Sequence, residues 1–110
     1  MGIKVNDVVD FDMKPSKSDV TSPVGTPSDY SEDLYRFYFE LIDKDKVAKE
    51  IITQFLGEEH AVNLTAVEYG YEFNIPIQCA PEIVRLLQKR DIAIYQVVRL
   101  ARTPGIWRAE

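Results

Sequence analysis

A chain of 110 residues has room for one domain, and 45% hydrophobic with 28% charged residues excludes wholesale disorder. A single cysteine, Cys79, excludes an internal disulfide, and no apolar run reaches the ~18 residues of a membrane span. The net charge of −5 argues against sequence-independent nucleic-acid binding, which feeds on positive charge.

The N-terminus lacks the charged-then-apolar layout of a secretion signal, so the reading is a cytoplasmic protein. The charge is uneven. Residues 81–110 sum to +3 and the first 80 to −8. The two parts attract each other, or the basic part meets an acidic partner.

Residues 3–9 alternate briefly (Ile3, Val5, Val8, Val9) and fit an edge strand or an unstructured end. Residues 13–31 hold three prolines, a glycine and many hydroxyl side chains. That composition buries too little apolar surface to offset ordering. Residues 1–29 are therefore expected to be a flexible, disordered N-terminal arm, residues 30–102 a helical domain and residues 103–110 a tail.

Glu32 and Asp33 stand where acid favours a helix start. Leu34, Phe37, Tyr38, Leu41 and Ile42 follow at spacings of three and four, an amphipathic helical stripe. Tyr35 and Phe39 fall off it and either widen the apolar face or remain available to a partner. Asp43 or Asp45 caps a second helix carrying Val47, Ile51, Ile52, Phe55 and Leu56, with Gly57 as its left-handed stop. Unless Asp43 breaks the chain, the two helices are one.

Glu58 and Glu59 sit beside His60, the only histidine. A metal centre needs three or four ligands at fixed spacing, and no second cluster exists. No metal and no cofactor is expected.

Asn63 and Gly70 bracket Leu64 to Tyr69 as cap and stop of a short helix. Tyr71 and Phe73 then fold back as an aromatic clasp. Residues 75–80 are extended before Pro81, which suits a first helical turn. Ile83, Leu87, Ile94, Val98 and Ala101 keep helical step over about 82–102, with Asp91 as a point where the helix splits. Ile92 to Leu100 also alternates and is rich in β-branched residues, so a strand is a live alternative there. The lone Trp107 follows Thr103-Pro104-Gly105 and is tucked back or offered to a partner.

The fold expected is mainly α, a small helical bundle. The alternative is α+β with strands near 3–9, 71–77 and 92–98. No phosphate loop, cysteine pair or nucleophile relay is present. Cys79 and His60 are the one conceivable nucleophile and base, and the chain reads as a non-enzyme.

Ala66, Glu68, Gly70, Tyr71 and Phe73 spell Ala-x-Glu-x-Gly-Tyr-x-Phe. With two helices before it, the stretch over about 31–74 resembles the Nif-eleven (nitrogen-fixation-associated) leader-peptide domain. The resemblance implies a helical leader on a precursor peptide, held by a modifying enzyme. The chain departs from it in lacking a double-glycine cleavage site, and residues 81–102 read as folded structure. The functional expectation is therefore a protein-binding domain, either leader-type or a small regulatory or assembly adaptor. It would engage a modifying enzyme or larger complex through its arm or tail. Tyr35, Phe39, Tyr69, Tyr71, Phe73 and Trp107 are the candidate partner-binding residues.

Overall fold

The computed structural model describes residues 23–108. Strand β1 spans Asp33–Leu41 and helix α1 spans Val47–Ala61. Strands β2 and β3 span Thr65–Val67 and Gly70–Ile75. Helix α2 spans Cys79–Lys89, and strand β4 spans Ile94–Ile106. The fold is α+β, which corrects the expected helical bundle.

The strands form one antiparallel sheet in the order β2–β3–β1–β4. Since β3 and β4 both run against β1, they are parallel to each other, with β1 between them and α2 as the connection. β1 and β2 are related in the same way through α1, with β3 between them. This βαββαβ order of two split βαβ units is the ferredoxin-like arrangement. Such a fold hosts many unrelated activities, so function has to be argued from the site.

Three expected helices are corrected. Residues 33–41 are β1, because Tyr35, Phe37, Phe39 and Leu41 alternate into the core. Four aromatics within five residues also favour a pleated strand. The short helix expected over 64–69 is the hairpin of β2 and β3. The long helix expected over 82–102 ends at Lys89. Asp91, with φ of 58°, turns the chain into β4. Of the α+β alternative, strands near 71–77 and 92–98 correspond to β3 and β4. The one near 3–9 lies outside the described residues.

The core lies between the helices and one sheet face. Phe37 faces Phe73 across the β1–β3 pairing, and the Phe39 and Phe73 rings stand 5.1 Å apart. Ala48, Ile52 and Leu56 of α1 and Ile83 and Leu87 of α2 close over them. Each large apolar side chain so buried contributes about 1.5–3 kcal/mol.

The other sheet face carries polar side chains, as a one-sided antiparallel sheet permits. Arg36 ties three strands together there. It donates to Glu72 Oε1 (3.2 Å), Asn74 Oδ1 (3.1 Å), Thr65 Oγ1 (2.8 Å) and the Asn63 carbonyl (2.8 Å).

The α1 entrance is built on Asp43. Its carboxylate accepts the Ala48 and Lys49 N–H groups, both at 2.8 Å. It thus takes up donors that the first helical turn leaves unpaired. Between them Asp45 and Lys46 are left-handed, with φ of 63° and 61°, a conformation of order 1–3 kcal/mol for each non-glycine residue. Gly57 leaves the helical path at φ 78° as the sequence predicts, but the chain resumes for one turn to Ala61. That extra turn carries His60.

Candidate functional site

The hairpin of β2 and β3 is pressed against β1 at Gly70, whose partner in the register is Glu40. The Tyr69 carbonyl accepts the Leu41 N–H at 2.8 Å. On the other side of β1, Glu40 faces Gln96 and Leu41 faces Ile94, which leaves Tyr95 as the extra residue of a β-bulge. A bulge re-aims the side chain it carries.

Tyr69 and Tyr95 thus flank the end of β1 from the two neighbouring strands. They are 58% and 66% exposed, and Ile42, where β1 ends, is 71% exposed. These three line a shallow cleft of about 390 Å³ with Glu40 and Leu41. A second cleft of about 440 Å³ adjoins it, sharing Leu41, Ile42 and Tyr69, and includes Asp43, Lys46, Glu68 and Tyr71.

Apart from Lys46, the charged and polar side chains here are acidic or phenolic. Burial pushes the Tyr38 hydroxyl upward from its ordinary pKa, and the charge of Glu40 acts the same way. Tyr71 donates to Asp43 Oδ2 at 2.7 Å, and burial with this bond raises its pKa to about 12. Among the described residues no basic side chain pairs with Glu40.

The six residues singled out from the sequence separate cleanly. Tyr35, Phe39, Tyr71 and Phe73 are buried core side chains. Tyr69 alone lies open at the site. Trp107 is at the other end of β1, where its backbone N–H donates to the Glu32 carbonyl at 2.8 Å. Its ring stacks on His60 at 4.5 Å and Phe55 at 6.0 Å.

His60 is buried, and its Nε2–H donates to the Trp107 carbonyl at 2.7 Å. Burial first, then the charge of Glu82, raises the Cys79 thiol to about 11. Among the described residues no hydrogen bond joins this cysteine to His60, whose ring bonds the Trp107 carbonyl. Among the described residues no three His, Cys, Asp or Glu side chains gather into a metal-holding group. No helix among them is long and apolar enough to cross a membrane.

Sequence reasoning missed Ile42, Tyr95 and Glu40. Ile42 continues the apolar stripe when β1 is read as a helix, and Tyr95 stands on an edge strand most of whose residues are exposed.

The fold and site define a small α+β sandwich with an exposed tyrosine-rich end. No family model matches the chain, and no curated protein or solved structure matches it either.

Proposed function

We propose that this protein is a non-catalytic binding module of the adaptor type. It engages a larger protein through the surface of Ile42, Tyr69 and Tyr95. The observation that carries the reading is the exposure of three large side chains at one place. They are held there by a two-residue hairpin turn on one side and a β-bulge on the other. Tyrosine presents a large amphipathic area at low entropic cost and is enriched at the energetic centres of interfaces. Glu40 and Glu68 make the surface a poor match for a phosphate backbone. The leader-type role rests on the residues from Ala66 to Phe73, which here serve as the hairpin and part of the core.

A photo-crosslinking amino acid placed at position 42, 69 or 95 tests the reading in cells of the native host. One partner is expected to be captured from all three positions, and none from position 85 on the exposed side of α2. Capture that is equal from every position, or absent from the three, contradicts it.

A further inference from the structure

The cleft lined by Tyr69, Tyr95 and Glu40 has a chemistry more specific than an apolar anchor. We infer that it receives a guanidinium group, the arginine side chain of the partner protein; this rests on the docking role proposed above.

The donor set carries the argument. Two exposed phenol rings flank one carboxylate, with Leu41 and Ile42 completing the walls. A cation within about 6 Å of an aromatic centroid is attracted by the ring's quadrupole. A planar guanidinium can stack on such a ring while its N–H groups reach a carboxylate, which the compact ammonium of lysine does less well.

Glu40 supplies the missing half of an ion pair. Among the described residues no basic group neutralises it. The contrast with the same face is direct: Glu72 holds Arg36 at 3.2 Å, and on β4 Arg102 holds Asp33 at 3.1 Å. Of the neighbouring charges, Glu68 and Asp43 lie in the adjoining cleft and reinforce the negative field. Lys46, also there, is the one basic residue lining either cleft.

The site is also held in place. Gly70 fixes the hairpin against β1, and the bulge fixes Tyr95. The backbone that carries the two rings is therefore set before a ligand arrives, which leaves only the side chains to be ordered on binding.

The test is an NMR titration of the full chain with acetyl-Ala-Arg-Ala-amide, with citrulline and lysine versions of the same peptide as controls. Citrulline keeps the shape of arginine without its charge. The arginine peptide is expected to shift the amide signals of Glu40, Tyr69 and Tyr95 saturably. Binding should be at least fivefold weaker for citrulline and measurably weaker for lysine. Glu40→Gln should abolish the preference for arginine over citrulline while leaving the rest of the spectrum unchanged. Tyr69→Leu, at the open hairpin tip, should weaken arginine binding several-fold.

Equal shifts from arginine and citrulline, shifts elsewhere, or none at all would overturn the inference. A captured partner that fills the cleft with an apolar side chain would overturn it too, yet leave the docking role standing. Failure to capture any partner would remove the docking role itself.

Discussion

Gly70 lies so close to β1 that a Cβ built on it would stand 1.9 Å from the Phe39 carbonyl oxygen. The obstacle is backbone in a paired strand, so no side-chain rotation relieves it. The approach is what allows Glu40 and Gly70 to pair and sets Tyr69 beside the end of β1. Gly70→Ala is therefore expected to cost about 3 kcal/mol or to prevent folding. Urea denaturation monitored by circular dichroism measures it. An alanine variant as stable as the parent would refute this packing.

Asp43 and Tyr71 form the joint between the α1 entrance and β3. Asp43→Ala removes the acceptor of two backbone N–H groups and one hydroxyl, and is expected to cost about 2–3 kcal/mol. Tyr71→Phe, which leaves the cap in place, should cost about 1 kcal/mol. The double variant should be less destabilised than the sum, since the partners share one bond. The phenol adds a pH signature. Its folded pKa of about 12 lies above the ordinary value of 10, so the folded state holds the proton more tightly. The stability it supplies is complete below pH 10 and is lost as pH rises from 10 through about 12. Ultraviolet titration should show a tyrosine ionising near pH 12 that is lost in Tyr71→Phe.

The Asp29 carboxylate organises the turn over residues 25–31 and touches the sheet through Tyr35. It accepts the Gly25 N–H at 2.9 Å, the Ser31 N–H at 2.9 Å and the Ser31 hydroxyl at 2.7 Å. The Tyr35 hydroxyl adds a longer bond at 3.3 Å. These bonds favour the carboxylate, with the Gly25 N–H first, and lower its pKa from 3.8 to about 2. A depressed folded pKa gives stability that is full above about pH 4 and is lost as pH falls through 2. The acid unfolding curve of Asp29→Asn should be flatter over that interval than that of the parent. Curves of identical slope would count against the network.

Trp107 is a structural closure. Stacked on His60 and Phe55, it holds the end of β4 to the last turn of α1. Trp107→Ala is expected to cost about 2 kcal/mol, less than a fully buried tryptophan because the ring is partly exposed. Trp107→Phe should recover part of that loss by keeping the stack. Thermal unfolding of the two variants checks the order.

The punctuation of this chain was readable and its period was not. Of the two candidate caps Asp43 serves α1; Gly57, expected as the stop of that helix, only interrupts it, and Asp91, expected to split one helix in two, separates a helix from a strand. Within 33–41, however, two patterns coexist. Leu34, Phe37, Tyr38 and Leu41 satisfy helical spacing, while Tyr35, Phe37, Phe39 and Leu41 satisfy alternation. Leu34 is buried alongside the inward set, so the strand shows no clean polar face to separate them. The three residues of β2 are too few to display any period. Asn63 and Gly70 are as suitable for a hairpin as for helix ends. Of the site, Tyr69 was legible because it stands beside Gly70. Ile42 and Tyr95 were not, since their exposure depends on where β1 stops and on β4 lying at the edge of the sheet. Both are properties of strand pairing, which only the assembled sheet displays.

The central claim is that the open end of the sheet is where this protein meets its partner. The most direct measurement is the affinity of the partner captured by crosslinking for the parent chain and for Tyr69→Ala/Tyr95→Ala. Two centrally placed tyrosines each contribute about 1.5–2 kcal/mol at such a surface, so the double variant should bind at least ~100-fold more weakly. Both side chains are exposed, so its urea midpoint should stay close to that of the parent. An affinity within twofold of the parent, in a variant that is fully folded, would contradict the account.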